Sequence, residues 1–186
     1  MNRKQLALIL DGCRRRSLSS QKELYELFYQ DIIRVALNYA SSLEDAREIV
    51  NDVFLKVFNK IDEYDENQPF RPWLNRITVF TAIDYYRKYI RNEPSKDDLE
   101  PYYELGNANN VLEQISADDL RNMVQKLSPA YRAVLNLYAI EGYEHHEIAE
   151  ILGISVGASK SNLFKARARL KMLLVSHGII TKQSSN

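Results

Sequence analysis

A single cysteine, Cys13, stands among 186 residues, so no disulfide can form within the chain and a cytoplasmic address is the economical reading. A lone thiol of this kind is more often packed than reactive. No stretch reaches the roughly 18 apolar residues of a membrane span, which leaves no segment for direct membrane insertion. The opening MNRKQLALILDGCRRR has a charged head and a short apolar run, but Asp11 and three arginines stand where a cleavage site would be. It reads as a short amphipathic helix. Alternating apolar runs backed by turn pairs are missing, as are internal repeats and any low-complexity tract beyond the polar tail TKQSSN. Net charge is missing too: 25 Lys and Arg balance 25 Asp and Glu, and neutrality by itself predicts no affinity for nucleic acid. Nor does the chain carry a catalytic constellation. His145 and His146 are adjacent, so on a helix they point about 100° apart and cannot share a metal as an i, i+4 pair; they read as helix-surface residues. No glycine-rich phosphate loop and no nucleophile paired with a base is found. No catalytic residue, metal, cofactor or small-molecule substrate is therefore expected.

What the chain does have is apolar material, 45% of its residues, enough for one ordinary domain or two small ones. It also has charge arranged in blocks. Gly157 to Lys171 holds five bases and no acid, Arg71 to Arg91 five bases and one acid, and Met1 to Arg16 five bases and one acid, while Glu93 to Asp119 holds eight acids against Lys96 alone. Opposed blocks suggest basic contact faces joined by an acidic connector.

Apolar residues recur at helical spacing nearly throughout, and the expected fold class is all-α. Leu24, Leu27, Phe28, Ile32, Val35 and Tyr39 form one stripe; Leu43, Ala46, Val50, Val53, Phe54, Val57 and Ile61 form a second on the next helix, and two such stripes joined by a short turn pack together. DEYDENQPF is a loop, and a third long helix is expected from about Pro72 to Arg91. Asn92 to Asn110, with two prolines, Gly106 and several asparagines, reads as a linker. Helices resume near Ser116. LSPAYRAVLNLYAIEG reads as Ser128 at the N-cap, Pro129 at the first helical position, a stripe of Val134, Leu135 and Tyr138, and Gly142 as the stop. The expected division is a helical unit over 1–92, an acidic linker over 93–114, a second helical unit over 115–178 and a polar tail over 179–186.

HHEIAEILGIS places Ile148, Ala149 and Leu152 on one inward stripe, Gly153 at a left-handed turn and Ser155 as cap of a further helix. On that helix Val156, Ser159, Leu163, Ala166 and Leu170 share an inward face. The opposite face carries Gly157, Ala158, Ser161, Phe164, Lys165 and Ala168, flanked by Lys160, Asn162, Arg167 and Arg169. A narrow tip with basic flanks suits the major groove of DNA, about 12 Å wide, with the bases reaching phosphates. An ordinary helical hairpin with a solvated basic face is the bland alternative, but such a helix normally intersperses Glu with its Lys and Arg.

Two more faces stand out. Opposite the core stripe of the helix from Leu43 to Lys60 lie Glu48, Asp52 and Asn59 around Leu55, an apolar residue ringed by polar ones, as at docking sites and also at many plain surfaces. The helix after Pro69 carries Trp73, Phe80, Tyr85, Tyr86 and Tyr89 among Arg71, Arg76, Arg87, Lys88 and Arg91, the mixture of rings and cations that melted DNA requires. Of these, Trp73 and Phe80, with Ile77 and Ile83, also read as core.

These pieces together resemble bacterial RNA polymerase sigma factors of the extracytoplasmic-function (ECF) type. FRPWLNRITVFTAIDYYRK is similar to that family's FRxWLxxIxxNxxxDxxRK, and the stretch from Leu127 to Leu170 is similar to LPxxxRxVxxLxxxEGxxxxEIAxxLGISxGTVKSRLxRARxxL, with spacing held over more than forty positions. The resemblance covers Leu24 to Arg91 and Leu127 to Leu174. It implies that 1–92 is the region 2 domain, which grips core RNA polymerase and captures the melted minus-ten element, and that 115–178 is the region 4 helix-turn-helix, which reads the minus-thirty-five element. It places Asp45, Glu48, Asp52 and Leu55 on the polymerase-binding helix, and EYDENQPF on the loop that cradles a flipped base. Asn67, Phe70, Arg71, Trp73, Arg76, Phe80, Asp84, Arg87 and Lys88 fall among the minus-ten contacts. Ser155, Gly157, Ala158, Lys160, Ser161, Asn162, Phe164, Lys165 and Arg167 fall among the minus-thirty-five contacts. Phe80 stands where the family usually has Asn, Ser159 where it usually has Val, and Asn162 where it often has Arg, departures that bear on promoter sequence more than on fold. The partners implied are core RNA polymerase and promoter DNA, with an anti-sigma protein left open, for a cytoplasmic protein that is not an enzyme. A free-standing dimeric regulator would also explain the helix-turn-helix, but it leaves Leu24 to Arg91 without a role.

Overall fold

The structure, a computed structural model, describes residues 3–90 and 117–176. The expected linker, 93–114, and tail, 179–186, lie outside the described residues. The chain divides into two compact units, 1–90 and 91–186, and every regular element described is helical.

In the first unit, α1 (Arg3–Arg14) leads through a tight turn into α2 (Leu18–Ala36), followed by α3 (Leu43–Lys60) and α4 (Phe70–Tyr85). Serine caps start two of these helices: Ser17 accepts from the Ser20 N–H, and Ser42 from the Asp45 N–H at 3.1 Å. α2 packs on α1, α3 and α4, and α3 on α4. α1 crosses α2 so closely at Gly12 that a Cβ there would lie 2.0 Å from Ser20 Oγ. Leu24, Phe28, Ile32, Ile49, Val50, Val53, Val57, Leu74, Ala82 and Ile83 make the core. Each large side chain buried there contributes about 1.5–3 kcal/mol.

The stripes needed correction where a helix serves several neighbours. On α2 the buried set is Leu24, Phe28, Ile32, Ile33 and Ala36, while Leu27 is exposed. Meeting three helices widens the buried arc to about 180°, and Leu27 falls about 60° outside its edge. On α3, Leu43 is exposed in the first turn and Ile49, which the stripe omitted, is fully buried. α4, expected from about Pro72 to Arg91, begins at Phe70, two residues before Pro72, and ends at Tyr85; a wider π-type turn over Tyr86–Ile90 follows it. Thr78 and Thr81, both buried inside α4, donate their hydroxyls back to the Leu74 and Ile77 carbonyls at 2.9 and 2.7 Å.

The second unit comprises α5 (Ala117–Gln125), α6 (Pro129–Ala139), α7 (His145–Leu152) and α8 (Val156–Ser176). α8 packs on the other three. Ser128 caps α6 with Pro129 at its first position, as the sequence predicts. Val134 is fully buried as expected, Leu137, which the stripe omitted, is fully buried beside it, and Leu135 and Tyr138 are half-buried. Arg132 is itself buried, its guanidinium donating to the Gln125 carbonyl at 2.9 Å and the Gln125 side-chain oxygen at 3.1 Å, which clips α6 to the end of α5. Burial pushes its pKa down to about 10.

Candidate nucleic-acid and polymerase interfaces

The α7–α8 hairpin is set by local chemistry. α7 opens with a capping box in which the Glu144 N–H donates to Glu147 Oε2 at 2.7 Å and Glu144 caps in return. It closes at Gly153, at φ 66°, a left-handed conformation that glycine adopts without penalty. Ser155 Oγ then accepts from the Ala158 N–H at 3.0 Å and starts α8. Ile148, Ala149, Leu152, Ser159, Leu163 and Ala166 are buried as expected, while Val156, in the first turn of α8, is 41% exposed and Leu170 half-buried. The inward arc of α8 centres between Ser159 and Leu163, and Val156 begins the helix at its edge.

On the outward side Ser155, Gly157, Lys160, Ser161, Phe164 and Arg167 are exposed, Phe164 at 64%. A Cβ on Gly157 would meet nothing nearer than Ser155 Oγ at 3.8 Å, so the fold itself does not require glycine there. Ala158, Asn162, Lys165 and Ala168 are half-buried at the sides of that face. α6 explains part of this: Lys165 Nζ lies 6.0 Å from the Tyr131 ring centroid, and the Arg167 guanidinium lies 5.4 Å from that of Tyr138. Tyr138 also stacks on His145, whose Nδ1 is 2.9 Å from Ser159 Oγ. His145 is therefore a packed residue rather than a surface one, and only His146 is exposed.

In the first unit, the loop between α3 and α4 starts with a 3-10 turn (Ile61–Glu63) and folds back on itself. The Asn67 N–H and amide both donate to Asp65 Oδ1 at 2.9 Å, and the buried Tyr64 donates its hydroxyl to the Gln68 carbonyl. Phe70 does not join a binding face. It is 4% exposed among the rings of Phe28, Tyr64 and Trp73, because the first turn of α4 closes over the core; its place among the DNA contacts is corrected to a structural one. Trp73 and Ile77 are half-buried and Phe80 is 39% exposed, so of the four residues that read as core only Ile83 is fully so. Tyr85 and Tyr86, expected on display, are buried, and Tyr89 is exposed.

Cations of α4 and of the turn after it already have local partners. Arg71 pairs with Asp31 and lies 5.5 Å from the Phe28 ring, Arg76 lies 6.0 Å from the exposed Phe80 ring, and Lys88 lies 4.7 Å from Tyr89. Asp84 is bound by Lys56 at 3.3 Å. Arg87 is exposed on the π-type turn beside Lys88.

Residues 24–91 match the family Sigma-70 region 2, and residues 117–170 match Sigma-70, region 4. The RNA polymerase sigma factor YlaC of Bacillus subtilis is 30% identical over 156 residues, spanning 82% of this chain and 90% of that protein. This chain belongs to the ECF type of sigma factor. The ECF RNA polymerase sigma factor SigM of Bacillus subtilis is 28% identical over 152 residues, 81% of this chain and 93% of that one. Among solved structures, the sigma factor RpoE in complex with the anti-sigma factor NepR from Bartonella quintana is 23% identical at a TM-score of 0.45, covering 82% of this chain and 95% of that one. As a sigma factor, the protein binds core RNA polymerase and directs it to promoter DNA for transcription initiation.

The acidic face of this sigma factor on α3 is less simple than a solvated stripe. Leu55 is 61% exposed, and Glu48, Asp52 and Asn59 are exposed around it, while Asp45 is half-buried. Tyr85, from the last turn of α4, points its hydroxyl between Asp45 Oδ1 at 2.9 Å and Glu48 Oε2 at 2.8 Å. Burial, then the two carboxylates, push the Tyr85 pKa well above its ordinary value. Sequence reasoning put Tyr85 on display and missed this junction, because the residues it joins lie 40 and 37 positions away and no periodicity connects them.

Proposed function

We propose that the unit over 1–92 binds core polymerase through Asp45, Glu48, Asp52 and Leu55 and captures the melted minus-ten element with Asn67, Arg71, Trp73, Arg76, Phe80, Asp84, Arg87 and Lys88. The unit over 115–178 reads the minus-thirty-five element with α8, the stretch 93–114 connects the two, and 179–186 is a tail. In this reading the factor works in the cytoplasm, has no catalytic activity of its own, and is a candidate for restraint by an anti-sigma protein, as RpoE is found in complex with NepR.

The observation that carries the reading is the outward face of α8. Gly157 is exposed with room for a side chain, Phe164 and Ser161 project, and Lys160 and Arg167 flank them. The flanking bases are placed for phosphates and the tip for base edges. The test is promoter-dependent transcription with core polymerase and Gly157→Leu. That change improves helix propensity by roughly 0.8 kcal/mol and obstructs entry into the groove, so stability holds or rises while transcription falls. A Gly157→Leu protein that transcribes as well as the original would remove α8 from the groove.

A further inference from the structure

Asp62, Glu63, Asp65 and Glu66 put four carboxylates in the loop assigned above to the melted strand, and phosphodiesters are repelled by such a loop unless its charge is offset. The structure supplies an offset from outside the matched family region, which starts at residue 24. Arg14, in the last turn of α1, pairs with the Glu66 carboxylate and holds its Nε 4.0 Å from Asp62 Oδ1. Arg3, in the first turn of α1, donates from Nη2 to the Glu66 carbonyl at 3.0 Å. The Arg14 side chain is only 25% exposed, against 55% for Glu66 and 79% for Asp62. It is thus a positioned cation, screened less than a free surface arginine. The internal bonds of Asp65 and Tyr64 close the loop on itself, and the two arginines tie it to a helix.

We propose that Arg14, assisted by Arg3, is a positioning residue for minus-ten capture: α1 holds the acidic loop at Glu66 and offsets its charge so that a melted strand can approach. This rests on the reading that the loop receives that strand. The test uses the full-length chain, whose only tryptophan, Trp73, has its ring 5.3 Å from that of Tyr64 at the root of the loop. A single-stranded oligonucleotide carrying the minus-ten sequence of a promoter that the factor transcribes is titrated, and Trp73 emission is followed at low and high salt. Arg14→Gln is expected to weaken binding about two- to fivefold at low salt, the range of a partly exposed ion pair, and less at high salt. Glu66→Gln is expected to tighten it, and the double variant to bind at least as well as the native chain. That rescue separates charge offset from a damaged fold. Native-like binding by Arg14→Gln overturns the proposal, as does a double variant as weak as Arg14→Gln alone, which would mean that Arg14 touches the strand itself. Asn67→Ala separates the two levels: if it weakens binding while Arg14→Gln does not, the brace alone fails, and if neither matters, the loop is not the receiving element.

Discussion

The reading face proposed on α8 and the minus-ten side of the first unit are made in opposite ways. On α8 the face follows from one helix: Gly153 turns the chain, Ser155 caps it, and the exposed residues succeed one another at helical spacing. In the first unit the face is assembled from segments far apart in sequence, with Arg14 on Glu66, Arg71 on Asp31 and Asp84 on Lys56. The first kind of interface tolerates change in the surrounding fold. The second is only as well placed as the packing beneath it.

The sharpest way to break this comparison is to remove a ring from each side. Phe70→Ala, which empties a site among three other aromatic rings, is expected to cost about 3–5 kcal/mol, read by chemical denaturation. Phe164→Ala is expected to leave stability within about 0.5 kcal/mol while promoter use falls. Equal destabilisation by the two would erase the distinction.

A smaller effect is expected from Cys13, buried at 1% exposure against α2, where burial pushes its pKa to about 11 from 9.0. The thiol stays neutral in the folded chain while the unfolded chain ionises. Stability is therefore fully present below pH 9, falls between pH 9 and 11 by roughly 2 kcal/mol, and levels off above. Cys13→Ala is expected to lack that part of the decline in a series of denaturant melts, and an identical slope for both proteins would show that the thiol is not shielded.

Within the second unit, Ser159→Ala removes the partner of His145 and is expected to cost about 1 kcal/mol, measured by thermal melting. A neutral result would make the second unit independent even of this one long-range polar contact. Least of all in stability, Leu55→Arg is expected to melt within about 0.5 kcal/mol of the native chain and to bind core polymerase more weakly. Unchanged affinity for core would take the α3 face out of the polymerase interface.

Much of this was legible in the chain itself. The all-helical class, the caps at Ser128 and Ser155, the left-handed Gly153 and the exposure of Gly157, Ser161 and Phe164 on α8 all depend on backbone preferences and neighbours three or four residues apart, and such information is written locally. The misses share a cause. Leu27, Leu43 and Val156 were assigned to buried stripes and are exposed, because a periodic stripe tells which residues share a side, whereas the width of the buried arc depends on how many helices cover it. Phe70 entered the minus-ten contacts through the family resemblance, and a matched motif position carries no local mark of whether its ring points into the core.

By itself, then, the sequence determined the all-helical class, the caps at Ser128 and Ser155, the hairpin before α8 and the family to which the chain belongs. Tertiary structure alone decided which rings are core, which carboxylates Tyr85 joins, and that Arg14 and Arg3 of α1 meet Glu66 of the acidic loop, 52 and 63 residues on. The reason is physical: hydrogen bonds within a turn of helix recur at fixed spacing, whereas contacts between helices depend on crossing geometry, which is set only when all the buried faces have been satisfied together.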